Sequence, residues 1–534
     1  MKHRLLYIPI LFLLSLSFVD CAKKGSPSGG KRDSIPPVIV KSNPENYSTQ
    51  FTGNEIRIYF DEYIKLKDLQ KELIISPPMK NAPSITPLSA SKVLKIKILD
   101  TLKENTTYSF NFGNSIVDNN EENAFEYFKY VFSTGSYIDS LKISGKIVDA
   151  ELAKPETPTT VVLYEVNDTF KDSLVLSEKP TYITTTKDST STFELTNIKE
   201  GNYLLLALKE KTNDYTFQPK NDKIAFEKSI VTLPTDSSYT LTLFKEKPAY
   251  KIARPKHETK NHISFGFEGD ATNLELEVLS EVPSDFEYTT YRDLKKDTIH
   301  YWFKPAFEAD SLIFLAKNYT KRDTLTVRMR DLFADSLSFS HMNAGTLTSL
   351  DTLKIQATRP LVKVASEKLQ VLDKDSVAVP ASIVLDSTYN VAKIVFDKKE
   401  EQRYAIEILP GGITDFFGKT NDSLFYRVTT KPTSDYGNLT LALKNAKEFP
   451  IIVQLVTEKF KVVSETYLTE NNSVLFDYIN PGKYYIRIIY DENGNKRWDT
   501  GNFLQRLAPE KILYYPSRIE VKANWSLNET FILD

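Results

Sequence analysis

The sequence predicts an all-β chain of tandem antiparallel sandwiches, and three observations carry that prediction. Apolar and polar residues alternate in Glu55-Ile56-Arg57-Ile58-Tyr59-Phe60, Leu94-Lys95-Ile96-Lys97-Ile98, Leu274-Glu275-Leu276-Glu277-Val278 and Ser336-Leu337-Ser338-Phe339-Ser340. Period-two alternation puts the apolar side chains on one face of a half-buried antiparallel strand. Runs of about six residues recur between Asn, Asp, Gly and Pro, a spacing that suits sandwiches rather than alternating strands and helices. Tyr and Phe number 29 and 31 in 534 residues, and Thr and Val recur in the same runs, which favours strand over helix. The clearest helical segment is a weak one, Lys65 to Glu72.

The first twenty residues stand apart from that pattern. Lys2, His3 and Arg4 precede an apolar run from Leu5 to Val19. The run is too short to span roughly 30 Å of hydrocarbon and fits the core of an export signal, so 1–20 is read as a signal peptide. Cys21 is the only cysteine, so no internal disulfide forms. No other stretch is long and apolar enough for a membrane helix. Residues 21–37 read as Cys21 and a tether rich in Gly, Ser, Pro and Lys, with an average reach of roughly 20–25 Å.

A lone cysteine directly after a hydrophobic signal resembles the modified cysteine of a bacterial lipoprotein. The resemblance implies cleavage before Cys21, acylation of its sulfur and amino group (a palmitate-type anchor), and a membrane as partner through the lipid. Phe18 and Asp20 stand where that pattern has an aliphatic and a small residue, and an ordinary secretory signal with a stray cysteine is the alternative. Lys23 and Lys24 replace the acidic residues that mark surface export in lipoproteins of the Bacteroidota. The expected location is therefore the outer membrane, with the face undecided and the cell surface slightly favoured.

The formal net charge is −2, without a basic stripe or an acidic tail, so no nucleic-acid partner is expected. The length calls for several domains, and internal repeats place them. Asn197-Ile198-Lys199-Glu200-Gly201-Asn202-Tyr203 precedes an apolar strand and then Glu210, Thr212, Asp214 and Phe217. Ile479-Asn480-Pro481-Gly482-Lys483-Tyr484-Tyr485 precedes a strand and then Asp491, Asn493, Asn495 and Trp498. The shared glycine is expected in a tight turn with positive φ. Upstream of each, Tyr108 leads to Val117-Asp118-Asn119-Asn120, and Tyr404 leads to Ile413-Thr414-Asp415-Phe416-Phe417-Gly418.

These residues carry a resemblance. Segment 38–138, with Pro36-Pro37 before it and Tyr59-Phe60-Asp61-Glu62, Asp118-Asn119 and Phe132-Ser133-Thr134 within it, looks like the bacterial Ig-like domain of surface-layer proteins. Segment 347–432 resembles it more weakly. Segment 139–248, opened by Ile143-Ser144-Gly145-Lys146-Ile147, resembles the carboxypeptidase-regulatory, transthyretin-like sandwich, and 437–534 follows by the repeat. Segment 255–346 reads as a β-sandwich of unassigned family. The resemblance implies spacers, adhesion units and assembly subunits, and no chemistry of its own.

Candidate sites are few. Asp491, Asn493, Asn495 and Asp499 offer oxygens at alternate positions that suit a hard cation such as Ca²⁺. The other reading is a polar loop held by Asx-turns. Apart from that Ca²⁺ reading, no cofactor is expected. Asp118 to Glu122 reads as a solvated acidic turn. The tripeptide Asp-Ser/Thr-Leu recurs and resembles the O-glycosylation sequon of exported Bacteroidota proteins, with candidates Thr101, Ser140, Ser173, Thr324, Thr352 and Ser423. It also arises wherever Asp ends a turn and Ser or Thr opens a strand. His257, His262, His300 and His341 read as structural or surface residues. No nucleophile elbow, phosphate loop or zinc-protease motif appears, so an enzyme is not expected. Tyr288-Thr289-Thr290-Tyr291 and Ile299-His300-Tyr301-Trp302-Phe303 read as core strands or as an aromatic patch for sugar or protein. The expected function is a structural or interaction subunit, such as an accessory of an outer-membrane protein assembly or secretion machine, with an outer-membrane protein as partner. A carbohydrate-binding or adhesion module is the alternative, and a carboxylate hydrolase the third reading. Tandem sandwiches predict a long body without a dedicated pocket.

Overall fold

A computed structural model describes residues 33–533 except 187–189, 294, 344, 387–389 and 471–472. Cys21 and the signal segment lie outside the described residues. Among the described residues the α-helix is a single turn, Leu69–Glu72. The longer helix expected from Lys65 does not form, because Lys65 and Leu66 end the strand Glu55–Leu66 and pair with Val117 and Ile116. Period-two burial of Ile56, Ile58, Phe60 and Ile64 carries the strand through that point.

The strands build five sandwiches, each over its own apolar core. In the first, a sheet of Ile39–Asn43, Glu55–Leu66, Ser91–Lys97 and Ser84–Thr86 faces a sheet of Ile74–Ser76, Thr107–Asn111 and Lys129–Ser133. Phe110, Phe112 and Phe132 fill the space between them. In the third, His262–Glu268, Thr298–Lys304 and Glu287–Asp293 face Glu275–Val278, Ser311–Asn318 and Lys321–Arg328. Of the segment expected as a strand at Ser336–Ser340, Phe339 and Ser340 pair, in a strand Phe339–His341 that lies against Leu353–Ala357 of the fourth sandwich.

The repeat seen in sequence is a repeat of topology. In the second sandwich the sheet order is Tyr182–Thr185, Thr160–Glu165, Gly201–Lys209, Lys223–Phe226, facing Thr192–Ile198, Leu141–Asp149, Ser238–Leu243. In the fifth it is Val462–Leu468, Ile451–Thr457, Gly482–Tyr490, Ile512–Tyr514, facing Ser473–Ile479, Gly437–Lys444, Ser526–Ile532. In both, the first and last strands pair in parallel, a departure from the antiparallel rule. A whole domain separates those strands in sequence, which is the long connection parallel pairing requires. The expected positive-φ glycine is met at Gly201 only in near-extended form, at φ 159°, and Gly482 does not share it. Both glycines open their strands, and the left-handed residues of the two turns are Asn197 and Tyr478, with φ of 61° and 54°. The glycines instead leave room for a tyrosine to fold back. The Tyr203 hydroxyl donates to the Lys199 carbonyl at 2.9 Å, and the Tyr484 hydroxyl to the Asn480 carbonyl at 2.7 Å. A Cβ on either glycine would sit 3.3 Å from that hydroxyl.

The first and fourth sandwiches share a second signature. The Tyr108 and Tyr404 hydroxyls accept from the Lys103 and Lys399 N–H groups at 2.9 and 2.7 Å. Thr134 and Thr430 donate to the carbonyls of the same two lysines at 2.7 and 2.6 Å. The chain after each tyrosine breaks into two strands, Thr107–Asn111 with Ile116–Asp118 and Arg403–Ile408 with Ile413–Asp415.

The last sandwich docks on the second, so the units are not related only as neighbours along the chain. Phe503 is fully buried against Phe217 and Phe226, with centroid distances of 6.4 and 5.7 Å. Trp498 packs on the same cluster. The Phe503 N–H donates to Glu246, and the Thr500 hydroxyl donates to the Lys245 carbonyl at 2.6 Å. Continuous burial explains the local sequence. Tyr203-Leu204-Leu205-Leu206-Ala207-Leu208 is apolar at every position because one face meets the second sandwich's own core and the other meets this cluster.

Candidate functional site

The loop from Asp491 to Glu510 brings the four predicted oxygen donors together and binds them to one another and to the backbone. Asp491 is fully buried, and its carboxylate accepts the Asn495 and Lys496 N–H groups at 3.1 and 2.8 Å. The Asn493 and Asn495 side-chain amides both donate to Asp499 Oδ2. Glu510, which the sequence reading did not single out, accepts the Glu492 and Asp499 N–H groups at 2.9 and 2.8 Å. These are the bonds of an Asx-turn loop. Among the described residues no group of three or more His, Cys, Asp or Glu side chains is arranged to hold a metal ion. Lys247 of the second sandwich pairs with Asp499 at 3.2 Å, so the loop also serves the docking contact.

The equivalent loop of the second sandwich is less satisfied. Glu210 accepts the Tyr215 N–H at 2.9 Å and Asp222 accepts the Gln218 N–H at 2.8 Å. Glu210 Oε1 and Asp222 Oδ1 are buried without a partner. Burial pushes the Glu210 carboxyl up to about 7; the Tyr215 N–H pulls it down, and Asp214 and Asp222 push it further up.

The acidic loop after Asp118 is not simply a solvated turn. Asp118 is buried, and its carboxylate accepts the N–H groups of Asn120, Glu121, Glu122 and Asn123 at 2.7 to 3.2 Å. Burial opposes its ionisation, yet those N–H groups hold it below the usual carboxylate range. Its counterpart Asp415 is buried, pairs with Arg359 at 3.0 Å, and accepts the Phe417 and Lys419 N–H groups at 2.9 and 2.7 Å.

The histidines converge on the third sandwich. His262 Nε2 and His300 Nδ1 are 2.8 Å apart, the His262 ring stacks on Trp302 at 4.0 Å, and Tyr291 stacks on His300 at 4.8 Å. Burial, with His300 and His257 nearby, pushes His262 down to about 3, so the ring is neutral at physiological pH. His341 lies apart, edge-on to Tyr426. Of the aromatic segments, Tyr288 is 54% exposed with its ring stacked on Tyr301 at 4.9 Å, and the other rings are half-buried or buried. Tyr301 and Phe303 lie in the core, and Trp302 is 1% exposed with Phe417 of the fourth sandwich against it at 6.1 Å. Lys304 donates to the Phe416 carbonyl at 3.2 Å and lies over its ring, sealing the same junction.

The O-glycosylation candidates occupy turns, strands and one short helix. Thr101, Ser140, Ser173, Thr324 and Ser423 are exposed and Thr352 is half-buried. Leu141, Leu353 and Leu424 begin strands directly after Ser140, Thr352 and Ser423, whereas Thr324 sits inside a strand and Ser173 in a 3₁₀ turn.

The chain also has concavities that the sandwich reading did not anticipate. A polar cleft of about 650 Å³ lies where the first and second sandwiches meet. An apolar groove of about 910 Å³ runs beside Leu69, Leu73 and Ile85. The cleft joins residues far apart in sequence, whereas the groove is lined mostly by residues 66–88, with Lys179 and Tyr215 of the second sandwich closing it.

Residues 33–134 match the bacterial Ig-like domain family. No curated protein matches the chain. Among solved structures, similarity extends to domains 1–6 of the surface layer protein SbsC, at 10% identity and a TM-score of 0.16, covering 91% of this chain and 67% of that one. It extends also to a Bacteroides ovatus protein of a mixed-linkage glucan utilization locus, SGBP-B, solved in complex with a mixed-linkage heptasaccharide. That match has 12% identity and a TM-score of 0.17 and covers 70% of this chain and 93% of that one.

Proposed function

We propose that this chain is a non-enzymatic lipoprotein of an outer membrane, anchored through Cys21, whose sandwiches form a scaffold for interaction with an outer-membrane protein. The observation that carries the reading is the docking of the last sandwich on the second through Phe503, Trp498 and the Arg506–Asp172 pair. A string of spacers needs no contact between its second and last units. A scaffold that presents fixed surfaces does. The side chains with chemical potential support the same view, since Asp118, Asp415, Asp491 and His262 are all engaged in holding loops or junctions. Within this reading the second and fifth sandwiches are the transthyretin-like units.

The deciding experiment is extraction of the tagged protein in gentle detergent with mass spectrometry of co-purifying chains. A barrel protein recovered in stoichiometric amount supports the scaffold. Recovery of the chain alone, after crosslinking in intact cells as well, refutes it. Incorporation of labelled palmitate, lost in Cys21→Ala, tests the anchor separately.

A further inference from the structure

The first sandwich turns one sheet to the second sandwich and the other to solvent. Ser76 and Lys129 meet the second sandwich at Ile183 and Asn197, and both belong to the sheet of Ile74–Ser76, Thr107–Asn111 and Lys129–Ser133. The opposite sheet packs Ile56, Ile58, Leu94 and Ile96 on the core. The alternate residues of the same strands form its outer face, and they are basic. Arg57, Lys95 and Lys97 are exposed there, and the Lys41 ammonium lies 4.9 Å over the Tyr59 ring. At the edge Lys92 donates to the Asp61 carbonyl at 2.7 Å.

The face is short of acids. Glu55 pairs with Arg57, and the Asp61 carboxylate accepts the Val38 N–H at 2.8 Å. Glu62 stands with Asp118, Asp61, Asp33 and Glu121 at the end of the sheet. The Arg57 hydrogen bond, with the charges of Lys95 and Lys97 beside it, holds Glu55 below the usual carboxylate range. Across the ladder Arg57 stands directly opposite Lys95. Like charges so placed destabilise a sheet, and an anionic surface laid against them relieves the repulsion. The mature chain ahead of Asp33 brings no counter-ion, because residues 22–32 contain Lys23, Lys24, Lys31 and Arg32 and no Asp or Glu. Ile39–Asn43 is the first strand after those residues and is itself an edge of this sheet.

We propose that this sheet face docks on anionic phospholipid headgroups, with Lys41, Arg57, Lys95 and Lys97 on the phosphates. The choice of a membrane as partner rests on the anchored reading above, which sets this sandwich next to the bilayer. Each cation held near an anionic leaflet adds to binding, and a flat sheet lets four of them reach one plane. No run of the sequence shows the patch, because Lys41, Arg57 and Lys95 come from three different strands.

The test is flotation of the mature chain, begun at residue 21 with Cys21→Ala so that no acyl chain contributes. The vesicles are phosphatidylcholine alone and an equimolar mixture with phosphatidylglycerol. Binding to the mixed vesicles at low salt is expected, with release at high salt and no binding to phosphatidylcholine. Lys95→Glu with Lys97→Glu should weaken binding by at least about tenfold. Because Lys95→Glu sets an acid opposite Arg57, the thermal midpoint should hold or rise. Lys321→Glu with Lys374→Glu, the same charge change at exposed positions on other sandwiches, should leave binding unchanged. If the first pair does not fold, Lys41→Gln with Lys97→Gln decides. Equal binding to both vesicles, unchanged binding in the folded variants, an equal loss in the control pair, or displacement by polyglutamate at matched charge, which would assign the face to an acidic protein, overturns the proposal. Failure of palmitate labelling at Cys21 would sink the anchor and leave this measurement intact, so the two failures are told apart.

Discussion

Arg506 and Asp172 stand 334 residues apart and form a two-pronged ion pair, with Nε to Oδ2 at 2.8 Å and Nη2 to Oδ1 at 2.6 Å. The Arg506 guanidinium also lies over the Phe226 and Phe503 rings. The pair is about a quarter to a third exposed, so solvent screens it and its worth is about 1 kcal/mol. Its fork geometry fixes orientation more than it adds stability. Arg506→Asp should expose the 491–510 loop to trypsin, and Asp172→Arg in the same chain should restore protection. Equal cleavage rates in wild type and the single variant would refute this role.

Phe503 is the docking residue buried most completely. Its side chain is fully buried in another sandwich's cluster. Phe503→Ala should weaken the contact by about 3–5 kcal/mol, the cost of removing a buried phenyl ring. The expected readout is a urea transition that splits, the second sandwich melting ahead of the others. A single unshifted transition would count against the contact.

The tyrosines that fold back over Gly201 and Gly482 should behave alike. Tyr203→Phe and Tyr484→Phe each delete one hydroxyl donor to a backbone carbonyl, a loss of about 1 kcal/mol. Denaturant midpoints of the two variants check it. A neutral result in either would mean that the turn holds itself.

Low pH should loosen the third sandwich. The folded-state value of His262 is held below its unfolded value, so the unfolded chain binds more protons between the two. The stabilisation is complete above about 6.5, the unfolded value, and is lost as pH falls toward 3. His300 and His257, also pushed down by burial, act in the same direction. His262→Phe should keep the stack on Trp302 and shrink the stability difference between pH 7.5 and pH 4.5. An unchanged difference would assign the pH response to other groups.

Asp491 caps its loop. Asp491→Ala leaves the Asn495 and Lys496 N–H groups without their acceptor and should cost about 1–3 kcal/mol. Because both carboxylate oxygens are engaged by backbone, a chelator should leave the thermal midpoint of the wild type in place. A chelator-induced drop reversed by Ca²⁺ would show that a cation, rather than these N–H groups, holds the loop.

What the sequence by itself determined is what depends on neighbours in the chain. Alternation at Glu55–Phe60 and Leu94–Ile98 marked half-buried strands, because a strand's faces are set by its own period. The two repeats were visible in Gly201 and Gly482 and in Tyr108 and Tyr404, since each signature closes within a few residues. The donors of the 491–499 loop were visible for the same reason. Only the tertiary structure decided where the outer faces of the sandwiches go. Trp302 reads alike on a platform and in a junction until Phe417 is known to lie against it. The unbroken apolar runs Val161–Tyr164 and Tyr203–Leu208 were local signs that the second sandwich is covered on both sides, and they do not name Phe503 as the cover. The meeting of Lys129 with Thr196, and of Arg506 with Asp172, left no local trace. Contacts between domains are made by side chains whose spacing along the chain is unconstrained, so no period or motif records them.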